Sequence, residues 1–254
     1  MKIRYVITTL LASLVLLIVI GCETTCQATA RDKVVGREIR KVVYTTKPKT
    51  LKGYLCRPSG EGPFPAVLYN HGGVGNIIGG APKGTCEALA AAGFVGFAPI
   101  RRQTRSMADH LDDVQAGLDY IQGLDYVNRN RIAMAGFSRG GALTFIAAAR
   151  GTRIKAAIIM ASANPPPQSG FTLKDAVKIR VPVLLLVAEN DTGSRKTMGQ
   201  NTLETMRRMS TALADAGNTP KLIVYPPYSD DGHDMFFEIG TYFKDVIEFL
   251  KKHL

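Results

Sequence analysis

The chain has 254 residues, 46% of them hydrophobic, with 25 glycines, 13 prolines and a formal net charge of +11. That length suits one large α/β domain with a sizeable core. No Lys/Arg block exceeds a pair or two and aromatics are only 7%, which argues against a nucleic-acid surface and leaves anionic lipid as the partner for the basic excess.

The N-terminus, MKIRYVITTLLASLVLLIVIGC, places Lys2 and Arg4 ahead of an uncharged apolar run from Tyr5 to Ile20. This is the layout of an export signal, and the run is short for a spanning helix, which needs about 20 apolar residues. Val19 to Cys22 resembles the lipobox of bacterial lipoproteins, which implies cleavage before Cys22 and a diacylglycerol on its thiol. An uncut membrane anchor, or cleavage after Ala28-Thr29-Ala30, are the competing readings. All three put the domain outside the cytoplasm, as an anchored cell-envelope protein or as a periplasmic or secreted one. The division expected is a signal peptide over 1–21, a polar tether over 22–36 and one domain over 37–254. Loss of Lys2 and Arg4 with the leader lowers the charge from +11 to +9.

From Arg37 the pattern becomes regular. Arg37–Thr46 and Leu51–Pro58 read as early strands that could pair as a hairpin. Pro65–Asn70 is an apolar strand, followed by a glycine-rich loop and a helix around Lys83–Ala92. Phe94–Pro99 is a strand. The next helix carries Met107, Leu111, Val114, Leu118 and Ile121 at spacings of four and three, with Ser106 as its cap. Arg131–Phe137 is a strand leading into a helix over Gly140–Ala149. Ile154–Met160 and Val181–Ala188 are strands, Asn201–Gly217 a helix and Lys221–Pro226 a strand. The last helix shows Phe243, Ile247, Leu250 and Leu254 on one face. Strands apolar throughout are buried on both sides, and their alternation with helices predicts a doubly wound, mostly parallel sheet with helices on both faces. In such sheets ligands sit beyond the carboxyl ends of the strands.

At one such end stands Gly136-Phe137-Ser138-Arg139-Gly140, a G-x-S-x-G match between a strand and a helix. A tight turn there exposes the serine above the sheet, the glycines relieve its crowding, and the helix N-terminus favours a developing negative charge. The competing reading is a glycine-rich turn with a capping serine. A serine nucleophile needs a base and the base an orienting acid. Of four histidines, His253 ends the last helix, His110 reads as solvated on a helix and His71 as a structural brace after an early strand. His233 follows the last strand and alone fits the chain order Ser, acid, His. The acid belongs after a strand between the two, where Glu189 and Asp191 both stand; Asp231 and Asp234 read as loop-solvating. The loop His71-Gly72-Gly73-Val74 offers Gly73 or Val74 as one backbone oxyanion donor, with Arg139 as the other. No cysteine pair has metal-ligand spacing, and no metal or cofactor is expected. With Cys22 lipidated, three cysteines remain; Cys56 and Cys86 form either one bridge or two buried thiols.

The segments HGGVG, GFSRGG, AEND and GHDMF stand in the order and rough spacing of α/β-hydrolases and most resemble the dienelactone hydrolase group, over Lys49 to Leu254. The resemblance implies Asp191 as the acid, a few residues past its strand. It also implies a departure: the name-giving members use a cysteine nucleophile, so Ser138 favours a general serine esterase acting through an acyl-enzyme. The catalytic domain of prolyl-oligopeptidase-type enzymes is also similar. The gap from Ser162 to Arg180 is short and carries Pro165 to Pro167, which leaves room for a small flap and points to small or accessible ester substrates. Arg101 and Arg102 are candidates for pairing with a substrate carboxylate, or else are solvated surface groups. Two functional classes therefore stand: a serine hydrolase of esters, with amides as the nearest rival, and a non-catalytic binding module on the same fold.

Overall fold

The computed structural model describes residues 37–254; the expected leader and tether, and Cys22 with them, lie outside the described residues. The core is an eight-stranded sheet. Its strands are β1 (Glu38–Thr45), β2 (Leu51–Arg57), β3 (Phe64–Asn70), β4 (Val95–Pro99), β5 (Val127–Phe137), β6 (Ala156–Met160), β7 (Val183–Ala188) and β8 (Lys221–Tyr225). They lie in the order β1-β2-β4-β3-β5-β6-β7-β8. β2 runs antiparallel to both β1 and β4, and every pair from β4 onward is parallel. The helices are α1 (Pro82–Ala91), α2 (Met107–Gln122), α3 (Arg139–Ala149), α4 (Thr202–Asp215) and α5 (Phe243–His253).

Alternation along β4 places helices on both faces. A Cβ on Gly96 would lie 2.6 Å from the Cys86 carbonyl oxygen of α1, whereas the Phe97 ring lies 3.3 Å from where a Cβ on Gly117 of α2 would stand. Successive strand residues point to opposite faces, so α1 and α2 flank the sheet. The strands in the middle have no polar face: Leu184, Leu185 and Leu186 of β7 are all fully buried. Burying such a side chain is worth about 1.5–3 kcal/mol. All five residues of the α2 stripe are buried, and Ser106 caps that helix by accepting from the Asp109 N–H at 3.2 Å.

The structure departs from the sequence reading at β5 and α5 and fills in two points the sequence left open. β5 begins at Val127, four residues early, because its first half pairs Val127 with Phe64 across a bulge. The segment between β6 and β7, read as room for a small flap, forms 3-10 turns at Pro167–Ser169 and Leu173–Lys178, the second held by a capping box of Thr172 and Asp175. On α5 the buried residues are Val246, Phe249 and Leu250, while Phe243, Ile247 and Leu254 are half-buried at the margin. Of the two readings left open for Cys56 and Cys86, the disulfide is the one formed, and it ties β2 to α1. Among the described residues no helix is long and apolar enough to cross a membrane, and no three His, Cys, Asp or Glu side chains cluster as for a metal.

The chain runs from β3 outward to β4, then returns past β3 to β5 and continues the other way. The direction reverses between β3 and β5, so the loops after these two strands meet at the crevice where doubly wound sheets hold ligands.

Candidate active site

Ser138 sits at that crevice, directly between β5 and α3, with φ 55° and ψ −118°. This is a conformation that non-glycine residues adopt only when their surroundings force it, at a cost of about 1–3 kcal/mol. The forcing contacts are visible. The Ser138 N–H donates to the Met160 carbonyl at 2.9 Å, and the Ser138 carbonyl accepts from the N–H groups of Gly141, Ala142 and Ala163. Both flanking glycines are required by space. A Cβ on Gly136 would lie 2.1 Å from the Gly140 oxygen, and one on Gly140 would lie 1.9 Å from the Asn70 oxygen. Although Ser138 occupies the cap position of α3, its side chain caps nothing. The hydroxyl is left for other chemistry, which removes the reading of a plain capping serine.

The loop after β3 packs over this turn. A Cβ on Gly72 would be 3.2 Å from the Ser138 Cβ. Gly72 and Gly79 exchange backbone hydrogen bonds at 2.9 and 3.1 Å and so close the loop. Gly73 has φ +84°, and a Cβ there would strike the Ile77 oxygen at 2.2 Å, so only glycine fits. Among the described residues the N–H groups of Gly73, Val74 and Arg139 donate to no protein acceptor. Arg139 is the first residue of α3, where an unpaired N–H and the positive end of the helix dipole coincide.

His233 lies in a 3-10 turn, Gly232–Phe236, capped by Asp231, whose carboxylate accepts the His233 N–H at 3.0 Å. The ring is 2% exposed and its Nδ1 stands 2.7 Å from Oδ2 of Asp191, itself 1% exposed. That contact requires the proton on Nδ1, so the neutral ring keeps Nε2 as an acceptor. The Phe137 ring packs on the imidazole with centroids 4.6 Å apart, bringing it beside the residue that precedes Ser138. Glu189, the alternative acid, is exposed. Asp234 pairs with Lys196 at the surface.

Sequence reasoning missed the residue that joins these loops. The Asn190 amide donates to the carbonyls of Tyr228 and Ser229 at 3.2 and 3.0 Å, and its oxygen accepts from the Tyr228 N–H at 2.9 Å. It clamps the turn after β7, which carries Asp191, to the segment leading to His233. An asparagine beside the acid in a turn was the only local signal.

The arginines and the other histidines form a layer behind the β3 loop. His71 is a brace, as read from the sequence. Its Nε2 accepts from the Arg101 N–H at 3.3 Å, which leaves the proton on Nδ1, 2.6 Å from the Gly72 oxygen. Burial, and then the Arg101 guanidinium, hold its pKa well below the ordinary range, so it is neutral. His110 is not solvated but 2% exposed: its Nδ1 accepts from Arg139 Nε at 3.1 Å, and its Nε2 faces the Arg102 oxygen at 3.1 Å. Burial, with Arg101 and Arg139 nearby, lowers its pKa to about 4. Arg102 is not a free anion receptor either. Its Nε and Nη2 both reach Asp113 Oδ1, at 2.8 and 2.5 Å, and Asp113 is fully buried. Arg101 is 4% exposed, with Nε and Nη1 unpartnered among the described residues. Burial, then repulsion from Arg139, lowers its pKa to about 9.

A half-buried serine on a forced turn, a buried His–Asp pair and unpaired backbone donors are the parts needed for acyl transfer. Comparisons with known proteins agree in fold and family. A "Putative carboxymethylenebutenolidase" of Methylorubrum extorquens is 26% identical over 251 residues, covering 88% of this chain and 81% of that protein. The crystal structure of a "Putative Dienelactone Hydrolase" from Klebsiella pneumoniae superposes with TM-score 0.68 at 19% identity, covering 86% of this chain and all of that one. Acylaminoacyl peptidase of Pyrococcus horikoshii superposes with TM-score 0.69 at 19% identity, over 87% of this chain but 42% of its own. The family model for dienelactone hydrolases matches residues 100–233, more than half of the chain, from the end of β4 through the G-x-S-x-G turn to His233. The chain therefore belongs to the dienelactone hydrolase family.

Proposed function

We propose that this protein hydrolyses carboxylic esters of small or accessible substrates through Ser138, His233 and Asp191. The observation that carries the proposal is the buried 2.7 Å His233–Asp191 contact, packed through Phe137 against a serine whose side chain caps nothing. Ser138 Oγ attacks the ester carbonyl as His233 Nε2 takes its proton; Asp191 holds the Nδ1–H tautomer and stabilises the imidazolium. The N–H groups of Gly73 or Val74 and of Arg139 receive the oxyanion. His233 returns its proton to the departing alkoxide, and water then cleaves the acyl-enzyme by the same base. No substrate role is given to Arg102, whose guanidinium Asp113 already holds.

The likeness to a peptidase fold favours amides as the second reading. Hydrolysis of matched 4-nitrophenyl esters and 4-nitroanilides separates the two. The ester reading requires turnover of the ester well above the anilide, abolished in Ser138→Ala; equal or greater anilide turnover replaces it with the amidase. Export as a Cys22-linked lipoprotein is part of the same proposal. The Cys56–Cys86 disulfide supports it, because such bonds persist in oxidising compartments. Palmitate labelling in a bacterial host that survives in Cys22→Ala would overturn the anchor.

A further inference from the structure

A cavity of about 490 Å³ opens at the outer corner of the sheet, between the β1–β2 hairpin, the end of β4 and Ile78. Lys41, Lys49, Lys52, Arg101 and Arg102 line it, and no acidic residue is among its lining residues. None of the three lysines has an ion-pair partner among the described residues. Lys41 lies instead over the Tyr54 ring, 5.4 Å from its centroid, and Tyr54 is also part of the wall. The Arg101 guanidinium is buried, and its unpartnered Nε and Nη1 are closed to the cavity's solvent. Asp113 holds the Arg102 guanidinium. Three lysines around one space, none with an ion-pair partner among the described residues, raise the local concentration of anions. Leu51, Ile78 and Ile100 give the wall an apolar part, beside the polar Thr50 and Gln103.

The kind of anion follows from the donors. Planar, bidentate recognition of a carboxylate needs a free and accessible guanidinium fork; Arg102 has spent its own on Asp113, and the unpartnered nitrogens of Arg101 are buried. Lysines are point charges that suit a tetrahedral oxyanion, and a phosphate monoester carries about −1.5 to −2 at neutral pH. We propose that this cavity is a second binding site, for a phosphate group carried on an apolar stem. Ile78 precedes Gly79, which is bridged to Gly72, and Gly72 touches Ser138 on its other side. One loop thus separates the two sites. The proposal does not depend on Ser138 being reactive.

Isothermal titration of the purified full chain tests it. Hexyl phosphate stands for a soluble phosphomonoester, and dihexanoylphosphatidylglycerol for a lipid headgroup; hexanoate and hexanol are the controls. One phosphate ligand per chain is expected, weakening steeply with salt and bound equally by Ser138→Ala. The double variant Lys49→Ala/Lys52→Ala and the reversal Lys52→Glu are expected to weaken it at least tenfold. Lys251→Ala/Lys252→Ala, on the exposed end of α5, is expected to leave it unchanged. Tighter binding of hexyl phosphate assigns the site to soluble phosphates, and tighter binding of the lipid assigns it to a membrane surface. Hexanoate binding as tightly as either, or undiminished binding by folded Lys49→Ala/Lys52→Ala, overturns the proposal.

Discussion

Gly140→Ala is expected to damage stability and turnover together, through one contact. Gly140 lies in the first turn of α3 with an ordinary helical backbone, so alanine brings no conformational strain of its own. Its Cβ would stand 1.9 Å from the Asn70 oxygen, 2.5 Å from the Asn70 carbon and 2.7 Å from the His71 oxygen. Ordinary contact begins near 3.4 Å, so the helix and the end of β3 must part by more than an ångström. They cannot part freely, because the Asn70 amide donates to Thr144 Oγ1 at 3.1 Å, and Thr144 donates to the Gly140 oxygen at 2.9 Å. Overpacking of this kind costs about 1–3 kcal/mol. The parting also drives the N–H of Arg139 away from those of Gly73 and Val74, and a 1 Å misplacement at a reacting centre costs about a hundredfold in rate. Guanidinium titration reads the first effect, and kcat/KM on a 4-nitrophenyl ester reads the second. Gly123→Ala is the control, since Gly123 has φ −79° and its nearest outside atom is at 3.4 Å. If Gly140→Ala matches that control in both measurements, the reasoning from the crowded turn is wrong.

The disulfide closes a separation of 30 residues, for which loop-closure entropy gives about 3–4 kcal/mol. The paired replacement Cys56→Ala/Cys86→Ala is expected to lose about that much in guanidinium titrations, and an unchanged midpoint would contradict it. Acid should weaken the fold through His110. Its folded pKa is about 4 against an ordinary 6.5, so the unfolded chain takes up the proton first. Stability is therefore whole above pH 6.5 and is lost progressively as pH falls toward 4. His71 is displaced in the same direction. Thermal melts across that window should fall less steeply in His110→Gln than in the parent; parallel curves would show that His110 does not carry the effect.

The fold was legible because its signals are local. Apolar runs such as Val183–Ala188, and the α2 stripe, state their burial in their own composition. The serine was legible because a forced strand-to-helix turn demands glycine at two fixed offsets, and Gly136 and Gly140 stand there. His233 followed from chain order. Asp191 needed the family resemblance, because Glu189 is equally acidic and only the turn geometry buries one and exposes the other. What stayed hidden depends on contacts between distant segments. The pairing of Cys56 with Cys86 requires β2 to lie beside β4 rather than β3, which brings α1 over it. His110 stands three residues past Met107 and four before Val114, so its position on the stripe was visible. Its partners, Arg139 and the Arg102 carbonyl, were not. Arg101, read as a substrate-carboxylate partner or else a solvated group, is instead buried, its N–H donating to His71 where the β3 loop meets the end of β4.

Labelling with a fluorophosphonate probe decides whether Ser138 is an activated nucleophile. The purified protein should take up one probe at Ser138, and both Ser138→Ala and His233→Ala should remain unlabelled while folded. A folded parent that stays unlabelled, or a Ser138→Ala variant labelled as fast as the parent, would contradict the proposed hydrolase and bring forward a binding role for the same fold.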